Sequence, residues 1–387
     1  MLARFVYAAT LVCSTLLVGL TMAPSTTVNA LTRDEVRLAM QVYNNHFYND
    51  YGAYGNSRKA MYYGTTERKG RDGFWTTLEE IEVLIDAYGV TRDTQFKDRI
   101  RHLYNGFRDA HGLTWANNEF NDDIIWGVIM AIRAFQVFND GAMKQMAIDN
   151  FNIVWKRGWD DKVGGGIWWK TDKKSKNVCV NAPAAIAAML LYKNTGDAVY
   201  KDRARKIMQW IKSKLFDAKS GEVKGAMNAA GKITEGWRTY TQGTFIGAAG
   251  KLHKEYPSEG WLDVAIKATD FSKSTITGKN GLLPDEYCDG QSGGDCSGFK
   301  GIFARWVGFF VRDHKLQDRY AEWLEKNAKA AWAVRNGNGL MWAKWGQRTP
   351  DKRVFSSWEA SSGVAMMSAV FAYNNDQKVL RQLRSEE

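Results

Sequence analysis

The chain has 387 residues, of which 45% are hydrophobic, 25% charged and 13% aromatic, and its formal charge is +11. This balance excludes a disordered or collagen-like chain, and the mere 5 Pro residues permit long helices. Lys and Arg are spread along the predicted helices rather than clustered, which favours a solvated basic surface, suited to an acidic wall, over nucleic-acid binding.

In chain order, residues 1–30 have the form of a secretory signal peptide. Arg4 supplies the basic start, Leu11 to Leu20 the apolar run, and Val28 to Ala30 a small-x-small cleavage site. The apolar run is too short and too interrupted by Ser and Thr for a membrane anchor, and no second stretch of spanning length follows. The charged end "KVLRQLRSEE" lacks the hydrophobic tail of a lipid-anchor signal. These features predict a soluble, secreted protein without a membrane span, with one domain over 31–387.

Apolar residues then recur at helical spacing. They predict helices over 33–49, 75–90, 94–110, 121–138, 142–158, 178–195, 197–216, 238–256, 259–275, 299–313, 317–334 and 357–374. No strand run stands out between them. After the even-numbered helices the links are tight turns, such as "GVTRD", "FNDGA" and "NTGDA". Before the even-numbered helices the links are mostly about twenty residues long and rich in Gly, Trp and Tyr, a length uncommon without a function. Six helical hairpins repeating at about sixty residues can close into a ring. The prediction is all-α: an (α/α)6 barrel with the even helices inside, their N-termini and the long loops gathered at one end.

Cysteine and histidine usage adds little chemistry. Cys288 and Cys296 share a Gly-rich loop and are expected to form a local disulfide, while Cys179 lies among apolar residues as a buried free thiol. His46, His102, His111, His253 and His314 have no metal-ligand spacing, so no metal is expected, and no cofactor.

The starts of the even helices carry the candidate site. In order they hold Phe74 and Trp75; Asp122, Asp123 and Trp126; Asn177 and Asn181; Trp237, Tyr240 and Gln242; Phe299 and Lys300; and Trp358 and Glu359. Aromatic faces beside amides and charges suit a sugar, although Trp155 and Trp210 read as core. The pair Asp122–Asp123, in "EFNDDIIWGVIMAIRAF", has two readings: a helix cap, or two catalytic carboxylates.

The segments "FNDDIIWGVIMAIRAF", "GGGIWWKTDKKSKNVCVNAPAAIAAMLLYKNTGDAVY", "TYTQGTFIGAAGKL" and "FKGIFARW" resemble, in that order, glycoside hydrolase family 76, the secreted α-1,6-mannanases. The resemblance implies an (α/α)6 barrel and a retaining, endo-acting mechanism on α-mannan. It makes Asp122 the nucleophile and Asp123 the general acid/base. Asn181, Tyr240, Gln242 and Lys300 match family motifs and are expected to contact substrate, with Trp75, Trp126 and Trp358 beside them. Ala182 stands where the family pattern leads us to expect glycine. Retention needs carboxyl groups about 5 Å apart, which neighbours at a helix start can provide. The expected division of labour keeps Asp122 ionised and raises the pKa of Asp123. The expected partner is an α-mannan polysaccharide or oligosaccharide, bound by a monomer. Rival readings are a wall mannan transglycosylase, a non-catalytic mannan-binding protein, or an interaction protein using the barrel as a scaffold.

Overall fold

The computed structural model describes residues 31–288 and 294–385, with side chains of the last helix followed to residue 372. The predicted signal segment lies outside the described residues. Among the described residues, twelve α-helices alternate between an inner and an outer ring. The inner helices are α2 (Phe74–Thr91), α4 (Asn121–Phe138), α6 (Val178–Thr195), α8 (Thr239–Glu255), α10 (Phe299–Asp313) and α12 (Ser357–Ser385). Each packs on the next, and α12 packs on α2, so the ring closes as an (α/α)6 barrel. The outer helices are α1 (Arg33–Phe47), α3 (Thr94–His111), α5 (Gly141–Gly158), α7 (Ala198–Lys214), α9 (Trp261–Phe271) and α11 (Gln317–Ala333).

Burial separates the two rings. In α6 every residue from Val178 to Leu191 is buried, as an all-round apolar helix requires. Helix α3 instead buries one stripe, including Phe96, Ile100, Leu103 and Phe107, at the spacing of one helical face.

The first three tight turns share a local code. Helices α2, α4 and α6 end on a left-handed residue, Arg92, Asn139 and Gly196 respectively. An aspartate follows each time. Asp93, Asp140 and Asp197 accept hydrogen bonds from the amides of Gln95, Ala142 and Val199 at 2.9, 3.0 and 3.0 Å, capping the next helix. "RD", "ND" and "GD" thus end an inner helix and start an outer one within two residues.

Close approach is required where α8 meets α10. A Cβ at Gly243 would lie 2.5 Å from the Phe303 Cα, and one at Gly247 2.9 Å from the Trp306 Cβ. The first clash is with backbone, so it cannot be relieved by a rotamer change. Gly243→Ala is expected to lower stability by about 1–3 kcal/mol in urea unfolding. An unchanged midpoint would show that the two helices can separate freely.

The barrel axis is polar. Arg305 on α10 is ion-paired with Glu79 on α2, and lies 2.5 Å from Asp86. Arg133 on α4 reaches Glu82 and Asp86, each at 2.6 Å. This buried network joins three inner helices across the ring.

The expectation of no strands is overturned. The first long link contains an antiparallel hairpin, β1 (Tyr48–Tyr54) with β2 (Ser57–Tyr62), and β3 (Ser175–Asn177), β4 (Ala226–Asn228) and β5 (Ile233–Glu235) form a second small sheet. A register shift at Asp50–Gly52 interrupts the alternation of the first hairpin, and β3, β4 and β5 have only 3 residues each. Neither leaves a period-two signal. Helix α1 accordingly stops at Phe47 rather than 49. The bond between Cys288 and Cys296 is formed, with Cα atoms 5.4 Å apart, and Cys179 is free and buried.

Candidate active site

All six inner helices start at the end of the barrel that carries the long links. Asp122 and Asp123 sit in the first turn of α4, but neither is its cap. The N-cap is Phe120, which makes no side-chain capping bond. Both carboxylates are therefore left for other partners, and the capping reading of the pair fails.

Each carboxylate has one oxygen held. The Trp169 indole donates to Oδ2 of Asp122 at 2.9 Å, and the Asn118 amide donates to Oδ2 of Asp123 at 3.0 Å. The other Asp122 oxygen, Oδ1, is buried with no hydrogen-bond partner. An unsatisfied buried acceptor is costly, and here it is available to an incoming group. Burial and the neighbouring Asp123 push Asp122 up to about 7, against the favourable Trp169 bond. Burial pushes Asp123 up to about 6, with Asp295 adding to the rise and Asn118 opposing it. Burial thus raises both carboxyl groups, where a rise was expected at Asp123 alone. The helix N-terminus does favour charge, but it does not offset the desolvation of Asp122.

Two loops hold these contacts in place. The guanidinium of Arg157, on α5, donates to the Asn121 side chain and to the carbonyls of Ala116 and Asn118 at 2.6–2.7 Å. The Asn121 amide groups bind the Trp168 and Trp169 carbonyls at 2.7 and 2.8 Å. The "GGGIWW" segment is thereby stapled to the start of α4, which carries the Trp169 indole to Asp122. The Cys179 thiol also lies beside Asp122 and the Tyr240 hydroxyl.

The aromatic candidates converge. Trp75 meets Trp358 edge-on at 5.0 Å and Phe299 at 6.3 Å, and Tyr240 lies 4.1 Å from Phe299. Four inner helices contribute to this wall. Trp75 and Tyr240 are half-buried and present surface to the rim. Trp358 is buried and donates its indole to the Asp295 carbonyl at 2.8 Å.

Other expected substrate contacts are placed differently. Trp126 is buried in the core. Asn181 is fully buried and clamps Ile167, accepting from its amide at 2.7 Å and donating to its carbonyl at 2.9 Å. It therefore positions the Trp169 loop. Lys300 is buried, bonded to Asp285 at 2.7 Å and set over the Trp345 ring. Gln242 is fully buried, and both its amide oxygen and nitrogen lack a hydrogen-bond partner. Asn181→Ala should lower the melting temperature and cost about 1–3 kcal/mol, because the Ile167 amide loses its acceptor. Full stability with a pure rise in KM would instead make Asn181 a substrate contact.

Trp169, Asn118 and Arg157 were not singled out from the sequence. Trp169 stands in a motif quoted above, and its double-Trp was the available signal. Among the described residues, no three His, Cys, Asp or Glu side chains are grouped to hold a metal.

The description "Glycosyl hydrolase family 76" matches residues 30–382. The chain belongs to glycosyl hydrolase family 76. An α-1,6-mannanase, GH76A of Salegentibacter sp. HEL1_6, superposes on this family 76 chain with a TM-score of 0.77 and 29% identity, over 87% of this chain and 98% of the other. A variant of that enzyme described as inactive, with two adjacent aspartates changed to asparagine, was solved in complex with α-1,6-mannotriose (TM-score 0.75, 27% identity, covering 88% of this chain and 98% of the other). Mannan endo-1,6-alpha-mannosidase DCW1 of Saccharomyces cerevisiae is 26% identical over 252 residues, 59% of this chain and 55% of that protein. The family 76 chain thus spans about half the length of the curated relatives it matches.

Proposed function

We propose that this family 76 protein hydrolyses α-1,6-mannan internally, with retention of configuration, through Asp122 and Asp123. The observation that carries the reading is the uncapped pair in the first turn of α4, each carboxylate held by one oxygen beside an aromatic wall. The complex of a related mannanase with α-1,6-mannotriose supports the substrate class.

In this reading Asp122 attacks C1 of a mannosyl unit while Asp123 gives its proton to the departing glycosidic oxygen. The glycosyl–Asp122 ester is then opened by water, whose proton returns to Asp123. The working state holds one proton in the pair. Burial raises both carboxyl groups, which keeps that proton in the pair. Positive charge developing at C1 favours an ionised Asp122 and moves the proton to Asp123, where the chemistry needs it. With carboxyl groups raised to about 6 and about 7, kcat/KM should trace a narrow bell centred between those values. Activity climbing steadily to pH 9 would exclude a proton held in the pair.

The deciding experiment follows unbranched α-1,6-mannan by reducing-end release and by NMR of the first-formed anomer. Shorter fragments with α-anomeric ends support retaining hydrolysis. A β-anomer first would refute retention, and products longer than the substrate would assign transfer instead. The disulfide between Cys288 and Cys296 supports a site of action in an oxidising, extracellular compartment. Among the described residues, no helix is long and apolar enough to cross a membrane.

A further inference from the structure

At the opposite mouth of the barrel, the last turns of the inner helices surround a second cleft of about 690 Å3. Seven cationic side chains line it against two carboxylates, Asp86 and Asp313. Three of the cations are neutralised. Arg133 and Arg305 belong to the axial network, and Arg312 pairs with Asp313 at 2.7 Å. Arg33, Arg92, Lys193 and Lys251 have no carboxylate within ion-pair distance among the described residues.

Part of this charge has a structural reason. The helix C-termini gathered here carry partial negative charge, which last-turn cations such as Lys193 offset. That reason does not extend to the others. Arg33 is the first residue of α1, where the helix dipole opposes a cation. Lys251 stands a full turn before the end of α8, half-buried over the Trp306 ring at 5.7 Å. Burial pushes its ammonium down to about 8, and nearby Asp313 only partly opposes this. Charge held under such desolvation is stabilised by an anion that enters the cleft.

We propose that this second mouth binds a phosphate-bearing anion. The volume is that of a small-molecule site, and Arg33, Arg92, Lys193 and Lys251 combine arginine forks with ammonium point charges, the pairing that phosphate oxygens accept. A phosphate monoester carries about two negative charges at neutral pH, enough to engage several of the four cations at once. The phosphate could be free or borne on a sugar. The site is separate from the carboxylate pair, which lies at the other end of the same helices.

Calorimetric titration of the full chain at pH 7, in matched sodium chloride, tests this with pyrophosphate and with mannose 6-phosphate. Saturable one-to-one binding of at least one probe is expected, and the tighter probe identifies the source. Arg92→Gln with Lys193→Gln changes two exposed residues, so folding should survive. It should weaken binding about tenfold or more while cleavage of mannan stays within about twofold. Lys251→Met, checked by its melting curve, should weaken the same binding. Absence of saturable binding by either probe, or unchanged binding in the double variant, overturns the proposal.

Discussion

Asp122→Asn and Asp123→Asn are each expected to leave a folded protein whose activity on α-1,6-mannan falls by about three orders of magnitude or more. The two should differ with a substrate whose leaving group needs no protonation. Asp123→Asn should still form the glycosyl-enzyme and be rescued by azide, whereas Asp122→Asn should not form it. The Asp122 change should also raise stability. Its folded-state pKa of about 7 lies above the ordinary value of 3.8, so folding binds the proton more tightly than the unfolded chain does. The cost of ionising Asp122 is absent below about pH 4 and grows as pH rises to about 7. The melting temperature of Asp122→Asn should therefore exceed that of the parent at pH 8 and converge with it near pH 4. Near-normal hydrolysis by Asp122→Asn would remove the pair from the mechanism.

Arg305→Met is expected to be the most damaging change away from the site. It leaves Glu79, Glu82 and Asp86 buried in the axis with Arg133 as their only remaining guanidinium among the described residues. Breaking a buried pair from one side costs about 3–5 kcal/mol, a large share of a domain's net stability. Glu79 is already pushed up to about 7 by burial, so adding Glu79→Gln should recover part of the loss. Urea unfolding of the single and double variants measures both effects. A loss below about 1 kcal/mol for Arg305→Met would mean that the network contributes little to closing the ring.

Much of the frame was legible because it is local. Inner helices are buried on nearly every side, outer helices bury one stripe, and the first three short turns each place an aspartate cap two residues from the contact it makes. The hairpin of Tyr48–Tyr62 was hidden because its bulge breaks the alternation that marks a strand. At the site, the aspartate pair is visible in the sequence, but its support is not: the Trp169 indole reaches Asp122 across 47 residues. A polar residue at an inner-helix start looks the same whether it faces sugar or clamps a loop. Asn181 was therefore read as a substrate contact, although it bonds the backbone of Ile167. The rise at Asp122 was not legible because the dipole is a property of the helix, while desolvation depends on what covers its end.

The alternation of short and long links also bears on how such a protein can change over generations. The two-residue turns are fixed by left-handed caps and aspartates, and an insertion there would pull an outer helix off its partner. The long links meet at the rim that carries the aspartate pair. Doubling the length of such a link costs about 0.6 kcal/mol in closure entropy, little beside what the axis supplies. The rim links are therefore the segments whose length can change at least cost to the frame.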